Sequence, residues 1–179
     1  MCYARTIPLI AAFVAIVALG LSAQGTPPGF LAEFDEQFGA SADKLVALAK
    51  VMPESTYEWT PMDGVASVAR VYMHIARYNY AYPEGMGVES PMGASVYDTW
   101  EEGVTDKAEV VSILEASMEH VRGVAEKMGA MGMEGETELY GRDVEEWAVL
   151  FQLITHMNEH LGQSIAYARM NHVVPPWSM

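Results

Sequence analysis

Residues 143–171 read DVEEWAVLFQLITHMNEHLGQSIAYARMN. Asp143 followed three positions later by Glu146 makes a capping box, a reciprocal pairing that satisfies free N–H groups at a helix start. A helix is therefore expected to open at Asp143 and to run to about Asn171. At 1.5 Å per residue it would be ~42 Å long, enough to cross a whole domain. Within it, His156 and His160 stand at i and i+4 in Thr155-His-Met-Asn-Glu-His-Leu161. On a helix that spacing puts both rings on one face, one turn apart. Two imidazoles so placed can reach one ion at the ~2.0–2.1 Å that a metal bond needs.

Working outward, three more helical stretches share the chain. The first runs from about Phe30 to Val51, with Phe34, Phe38, Leu45, Leu48 and Ala49 on one face and Pro53 beyond its end. The second opens near Asp63, a candidate N-cap, and passes through Val68, Val71, His74, Ile75 and Tyr78 to Pro83. A long Gly/Pro/Ser-rich loop follows, Glu84 to Gly103. Thr105 is the expected cap of a third helix, in which Val110, Ile113, Leu114, Met118, Val121 and Ala125 keep helical spacing up to a glycine- and methionine-rich break at Gly129 to Gly135. No stretch shows the alternation of a strand. Four long amphipathic helices joined by loops of unequal length predict an all-α four-helix bundle.

The first 23 residues differ from the rest. Arg5 is their only charged residue, and Ile7 to Leu21 is an unbroken uncharged run that ends near Leu21-Ser22-Ala23. A basic start, an apolar centre and small residues at the end are the layout of a cleavable signal peptide. Residues 1–23 are accordingly expected to be removed, 24–29 to be a linker, and 30–179 to be the bundle domain, exported to the periplasm or beyond. The apolar run is shorter than the ~20 residues that span a bilayer, so stable membrane insertion is not expected after cleavage. Cys2, the only cysteine, lies inside that segment, so the mature chain is expected to have neither a disulfide nor a thiolate ligand. With 24 acidic against 10 basic residues and a net charge of -14, the chain has no electrostatic reason to bind nucleic acid or an anionic bilayer.

The histidines form the one chemical constellation. His74 lies on the stripe of the second helix expected to face the core, where ligands from facing helices converge in a bundle. The motif is not that of the zincins, because Met157 stands where His-Glu-x-x-His needs a glutamate. Glu159 points about 100° away from the pair and is not assigned as a base. A lone histidine on an apolar face is ordinarily a core residue, and spacing alone leaves that reading open for His74. His120 and His172 are isolated and are read as structural.

Four stretches in order carry a resemblance: Leu48 to Trp59 with Thr60-Pro61; Val68-Ala-Arg-Val-Tyr-Met-His-Ile-Ala76; His156-Met-Asn-Glu-His-Leu-Gly-Gln163; and Tyr167-Ala-Arg-Met-Asn-His-Val-Val-Pro-Pro-Trp-Ser178. Together they resemble the DinB-like (damage-inducible, YfiT-like) family of small bacterial four-helix metalloproteins, over about Phe30 to Ser178. The resemblance implies an up-down-down-up bundle, often dimeric, with His74, His156 and His160 as the three metal ligands. It implies little about chemistry: some relatives transfer or isomerise with low-molecular-weight thiols, and many have no known reaction. The expected export and the long loop 84–103 depart from the family pattern.

An all-histidine, sulfur-free set suits a divalent transition metal such as Zn, Ni, Fe, Mn or Cu, and leaves at least one coordination position open. Gln163, Tyr78, Asn158 and Gln152 are candidate neighbours of the ion or of a small-molecule substrate, with core packing or surface exposure as the plainer reading. Met128, Met131 and Met133 form a candidate copper patch, against the simpler reading of a flexible interhelical loop. Trp100, Trp147 and Trp177 are read as core or tail anchors. Two functional classes stay open at this stage: a metal-dependent enzyme of hydrolase or thiol-transferase type, and a non-catalytic metal-binding or structural protein of the envelope.

Overall fold

The computed structural model describes residues 29–178. The expected signal peptide, and the linker up to residue 28, lie outside the described residues.

Helix α1, Phe30–Val51, follows Gly29, whose φ of 78° lets the chain turn sharply into the helix. It buries the face read from the sequence: Phe34, Phe38, Leu45, Leu48 and Ala49. Helix α2, Val68–Gly85, starts later than Asp63, because the Ser67 hydroxyl accepts from the Arg70 N–H and takes the cap. Asp63 lies in the preceding turn, where Gly64 adopts φ 79°. The helix also runs past Pro83, which sits in its last turn and leaves only two residues of helix beyond the hydrogen bond it cannot make.

The segment after it is not an open loop. It folds into two short helices, α3 (Ala94–Tyr97) and α4 (Trp100–Gly103). Tyr97 stacks on Tyr80 at 6.1 Å between ring centroids, and Trp100 meets Tyr80 edge-on at 5.7 Å. Both rings are buried, so the segment is pinned along α2. Helix α5, Lys107–Met131, is capped by Asp106 rather than Thr105, its carboxylate accepting from the Glu109 N–H at 2.9 Å.

The one departure from an all-α fold follows α5. Strands β1 (Glu136–Leu139) and β2 (Arg142–Glu145) pair antiparallel. Between them Tyr140 and Gly141 have φ of 55° and 72°, the two positive values of a tight hairpin turn whose twist matches its strands. Asp143 thus faces Glu138 in the ladder and caps nothing. Helix α6 begins at Glu146 and ends at Met170. Its first N–H groups are satisfied by carbonyls of the preceding loop, Glu146 donating to Gly135 and Trp147 to Met133. At its far end His172 takes φ 59°, and the N–H groups of His172 and Val173 close on the carbonyls of Arg169 and Ala168. His172 is therefore a helix terminator in the place where glycine is usual.

The four long helices form a bundle in which α1 and α2 each pack against both α5 and α6. Phe30 meets Trp147 and Ser41 meets Asn158, so α1 and α6 run parallel. Lys50 pairs with Glu115 and Asp43 with Arg122, so α5 opposes α1. His74 lies against His160 and Tyr78 against His156, so α2 opposes α6. The order is up-down-down-up, with α1 diagonal to α2 and α5 diagonal to α6, and the parallel α2 and α5 side by side. Phe34, Phe38, Leu45, Ile75, Leu114, Leu150 and Leu153 fill the centre. Among the described residues, no helix is long and apolar enough to cross a membrane.

If the 94–103 segment is part of the packed domain, Trp100→Ala should cost about 3 kcal/mol of unfolding free energy, as large aromatic truncations in cores do. Urea denaturation checks this; a loss below about 1 kcal/mol would mean that the segment rests loosely on α2.

Candidate metal centre

Antiparallel packing of α2 on α6 brings the predicted histidines together. His156 and His160 come from successive turns of α6 and His74 from the middle of α2. Their ring centroids are 5.1 Å (74–156), 4.8 Å (74–160) and 4.6 Å (156–160) apart. One nitrogen from each lies within 4.8 Å of the other two, a grouping that can hold a metal ion.

The three rings are supported differently. His74 Nδ1 lies 3.0 Å from Glu101 Oε1. An ionised carboxylate oxygen only accepts, so the neutral form of His74 carries its proton on Nδ1 and has its lone pair on Nε2. His160 Nδ1 lies 2.9 Å from Gln163 Oε1, Gln163 Nε2 donates to the Tyr167 hydroxyl at 3.0 Å, and Tyr167 donates to the Ala66 carbonyl at 3.1 Å. The chain has only one self-consistent direction. The carbonyl of Ala66 must accept, so Tyr167 accepts from the Gln163 amide and the amide oxygen faces His160. His160 is thereby also fixed with Nε2 free.

His156 has no such partner. It is 7% exposed, and neither ring nitrogen has a hydrogen bond. Burial, then the neighbouring His160 and His74, hold its pKa down to about 3, so the ring is neutral at physiological pH. A buried polar group left unpartnered costs about 1–3 kcal/mol. A cation accepting the lone pair of one ring nitrogen at this point relieves the acceptor's share of that cost, and a neutral imidazole is the form that binds one. The residues therefore fit a metal ion.

Tyrosines wall one side. Tyr78 packs 4.8 Å from His74 and 4.9 Å from His156, and Tyr82 stands edge-on to His156 at 5.7 Å. Tyr82 and Tyr140 share a hydrogen bond between hydroxyls, and Gln152 donates to Tyr140 at 3.3 Å. Burial, then the bond to Tyr140, push the Tyr82 phenol well above its ordinary pKa, so it stays protonated. Tyr140 comes from the hairpin turn, so the hairpin reaches over to the C-terminal end of α2, at Tyr82.

Of the sequence candidates, Gln163 and Tyr78 touch the ligands directly, and Gln152 reaches the wall through Tyr140. Asn158 does not: it accepts from Ser41 at 2.9 Å and donates to the Ile154 carbonyl, facing α1. Glu159 is exposed. His120 stacks on Tyr80 at 4.5 Å, away from the triad. Met128 and Met133 are buried in the core whereas Met131 is 87% exposed. Trp100 is buried, Trp147 packs edge-on against Phe30, and Trp177 is exposed. Glu101 was not legible: it lies in Trp-Glu-Glu-Gly, at no fixed spacing from any histidine.

If the unpartnered nitrogens are a cost borne for a metal, His156→Leu should stabilise the metal-free protein by about 1 kcal/mol while removing the gain in melting temperature on adding Zn2+. Thermal unfolding in chelator and in Zn2+ tests both; a destabilised metal-free variant would show the ring to be a packing element.

Residues 37–167 match the sequence model of the DinB superfamily. The fold is similar to the crystal structure of a DinB-like protein from Bacillus cereus ATCC 10987, with a TM-score of 0.66 and 18% identity over 83% of this chain and 94% of that one. No curated protein matches. The family match spans most of the chain and includes all three histidines, and the chain belongs to the DinB superfamily.

Proposed function

We propose that this is an exported metalloprotein that holds one divalent transition metal through His74, His156 and His160, and that it acts as a metal-dependent enzyme of hydrolase or thiol-transferase type on a small molecule. The observation that carries the metal is the buried, neutral, unpartnered ring of His156 between two rings whose tautomers are already set.

Three imidazoles leave room in the coordination shell, and an ion so held lowers the pKa of a water or thiol towards neutrality. The chain's own residues supply the rest. Glu101 and Gln163 orient their rings, and the Gln163–Tyr167–Ala66 relay ties α6 to the start of α2. Tyr78 and Tyr82 exclude water from one flank of His156, and because the Tyr82 and Tyr140 hydroxyls spend one hydrogen on each other, the pair has a single O–H left to donate to a substrate on that side. The 7% exposure of His156 is what favours the other reading, a metal-binding envelope protein without turnover. Export is supported by the apolar run after Arg5. The acidity of the chain argues for a neutral or cationic small molecule over nucleic acid. A homodimer is in keeping with the family resemblance.

Elemental analysis of the protein purified without added metal should find about one equivalent of a transition metal, absent after triple His→Ala substitution. No metal, and no uptake on dialysis against Zn, Ni, Fe, Mn or Cu, would sink the reading. For export, the protein recovered from the envelope fraction should begin at Gln24; a form beginning at Met1 would make the apolar run an anchor.

A further inference from the structure

Glu101 lies in α4, on the segment that departs from the family pattern, yet its side chain is only 16% exposed and turned onto α2. Two guanidinium groups lie near it: Arg70 Nε at 3.6 Å from Oε2 and Arg77 at 3.6 Å from Oε1. Each arginine makes its closest ion pair elsewhere, Arg70 with Glu102 and Arg77 with Asp98, both at 2.8 Å. The closest partner of Glu101 is therefore neither arginine but His74, at 3.0 Å. The arginines fasten the segment to α2 on both sides of that contact, and Tyr97 and Trp100 fasten it from beneath through Tyr80.

The geometry points to Glu101 as a positioning residue of the metal centre: its carboxylate fixes the His74 ring with the proton on Nδ1 and leaves Nε2 as the ligand atom. This deepens the metal reading above and rests on it for the ion, though not for the ring. The three histidines then differ in kind. His74 is backed by a charged acceptor, His160 by a neutral amide and His156 by nothing. A carboxylate behind an imidazole makes it the stronger donor and holds its plane, and losing such support typically weakens metal binding 10–100-fold. The 94–103 segment is on this view a third wall of the site, and its docking and the occupancy of the centre reinforce each other.

The test uses the full chain with Glu101→Ala and Glu101→Gln. In the metal-free protein, long-range 1H–15N spectra of His74 should show Nδ1–H in the unsubstituted chain and in Glu101→Gln, whose amide oxygen still accepts. Glu101→Ala should move the proton substantially to Nε2. Zn2+ affinity, measured by competition with a chromophoric chelator, should fall about 10–100-fold in Glu101→Ala and recover largely in Glu101→Gln. An unchanged tautomer or unchanged affinity in Glu101→Ala overturns the proposal. So does X-ray absorption showing a Zn–oxygen bond that disappears with the carboxylate, which would make Glu101 a ligand. If the unsubstituted chain takes up no Zn2+, the metal reading fails, and the tautomer in the metal-free protein alone decides the role of Glu101. Should Glu101→Ala unfold, Glu101→Gln settles the same question: a His74 proton on Nε2 there refutes the assignment.

Discussion

An imidazole shut away from water with both nitrogens unsatisfied is a standing cost to a fold, and His156 sits where that cost is hardest to relieve. It faces α2 at the middle of the bundle, with apolar neighbours on its own helix in Leu153 and Met157. Everything around it is arranged as though the site were half finished. Two rings have their outer nitrogens tied to acceptors, which sets the tautomer and leaves each with one lone pair. The third has no acceptor of its own, and a lone-pair acceptor shared with the other two would satisfy one of its nitrogens.

The rest of the fold holds that arrangement in register. Parallel α1 and α6 pack through Phe30, Trp147, Ser41 and Asn158, which sets the height of the two histidines on α6. The relay from Gln163 through Tyr167 to Ala66 then binds α6 to the residue just before the Ser67 cap of α2. Position along α2 and orientation of the rings are thus set by the same few contacts. The hairpin adds one more from the opposite end, where the left-handed Tyr140 places its hydroxyl against Tyr82. Backbone strain at a non-glycine turn residue is modest, but it is kept here at the hairpin residue whose hydroxyl meets Tyr82.

The sequence made the helices and the His156–His160 pair legible for a simple reason: both depend on spacing along one stretch of chain, whereas His74, on another helix, was reached only through the resemblance. The apolar face of α1 matched residue for residue, and the i, i+4 histidines needed only that α6 be helical. What was misread turned on two local signals in competition. Asp143 and Glu146 have capping-box spacing, but Tyr140-Gly141 has turn chemistry, and the turn won because β1 and β2 pair and the α6 start is capped by backbone carbonyls instead. At α2 the Ser67 hydroxyl outcompeted Asp63, which Gly64 carries out of the helix path. Asn158 looked like a site residue by position on α6, yet two residues from either histidine it lies about 200° round the helix and meets Ser41 on α1. Glu101 left no trace at all, since its meeting with His74 is set by how a seemingly loose segment packs on Tyr80 and the arginines of α2.

The up-down-down-up order has a consequence for when the centre can exist. His74 is made early in synthesis and His156 and His160 near its end, and α2 and α6 become neighbours only when the last helix closes the bundle. A chain lacking α6 brings only His74 to this site and has no chelate. On the metal reading proposed above, capture of an ion would be among the final events of maturation rather than a nucleus for it. The identity of that ion would then be decided less by the affinity of three imidazoles, which accept several metals, than by the metal pool surrounding the chain at the moment its last helix docks.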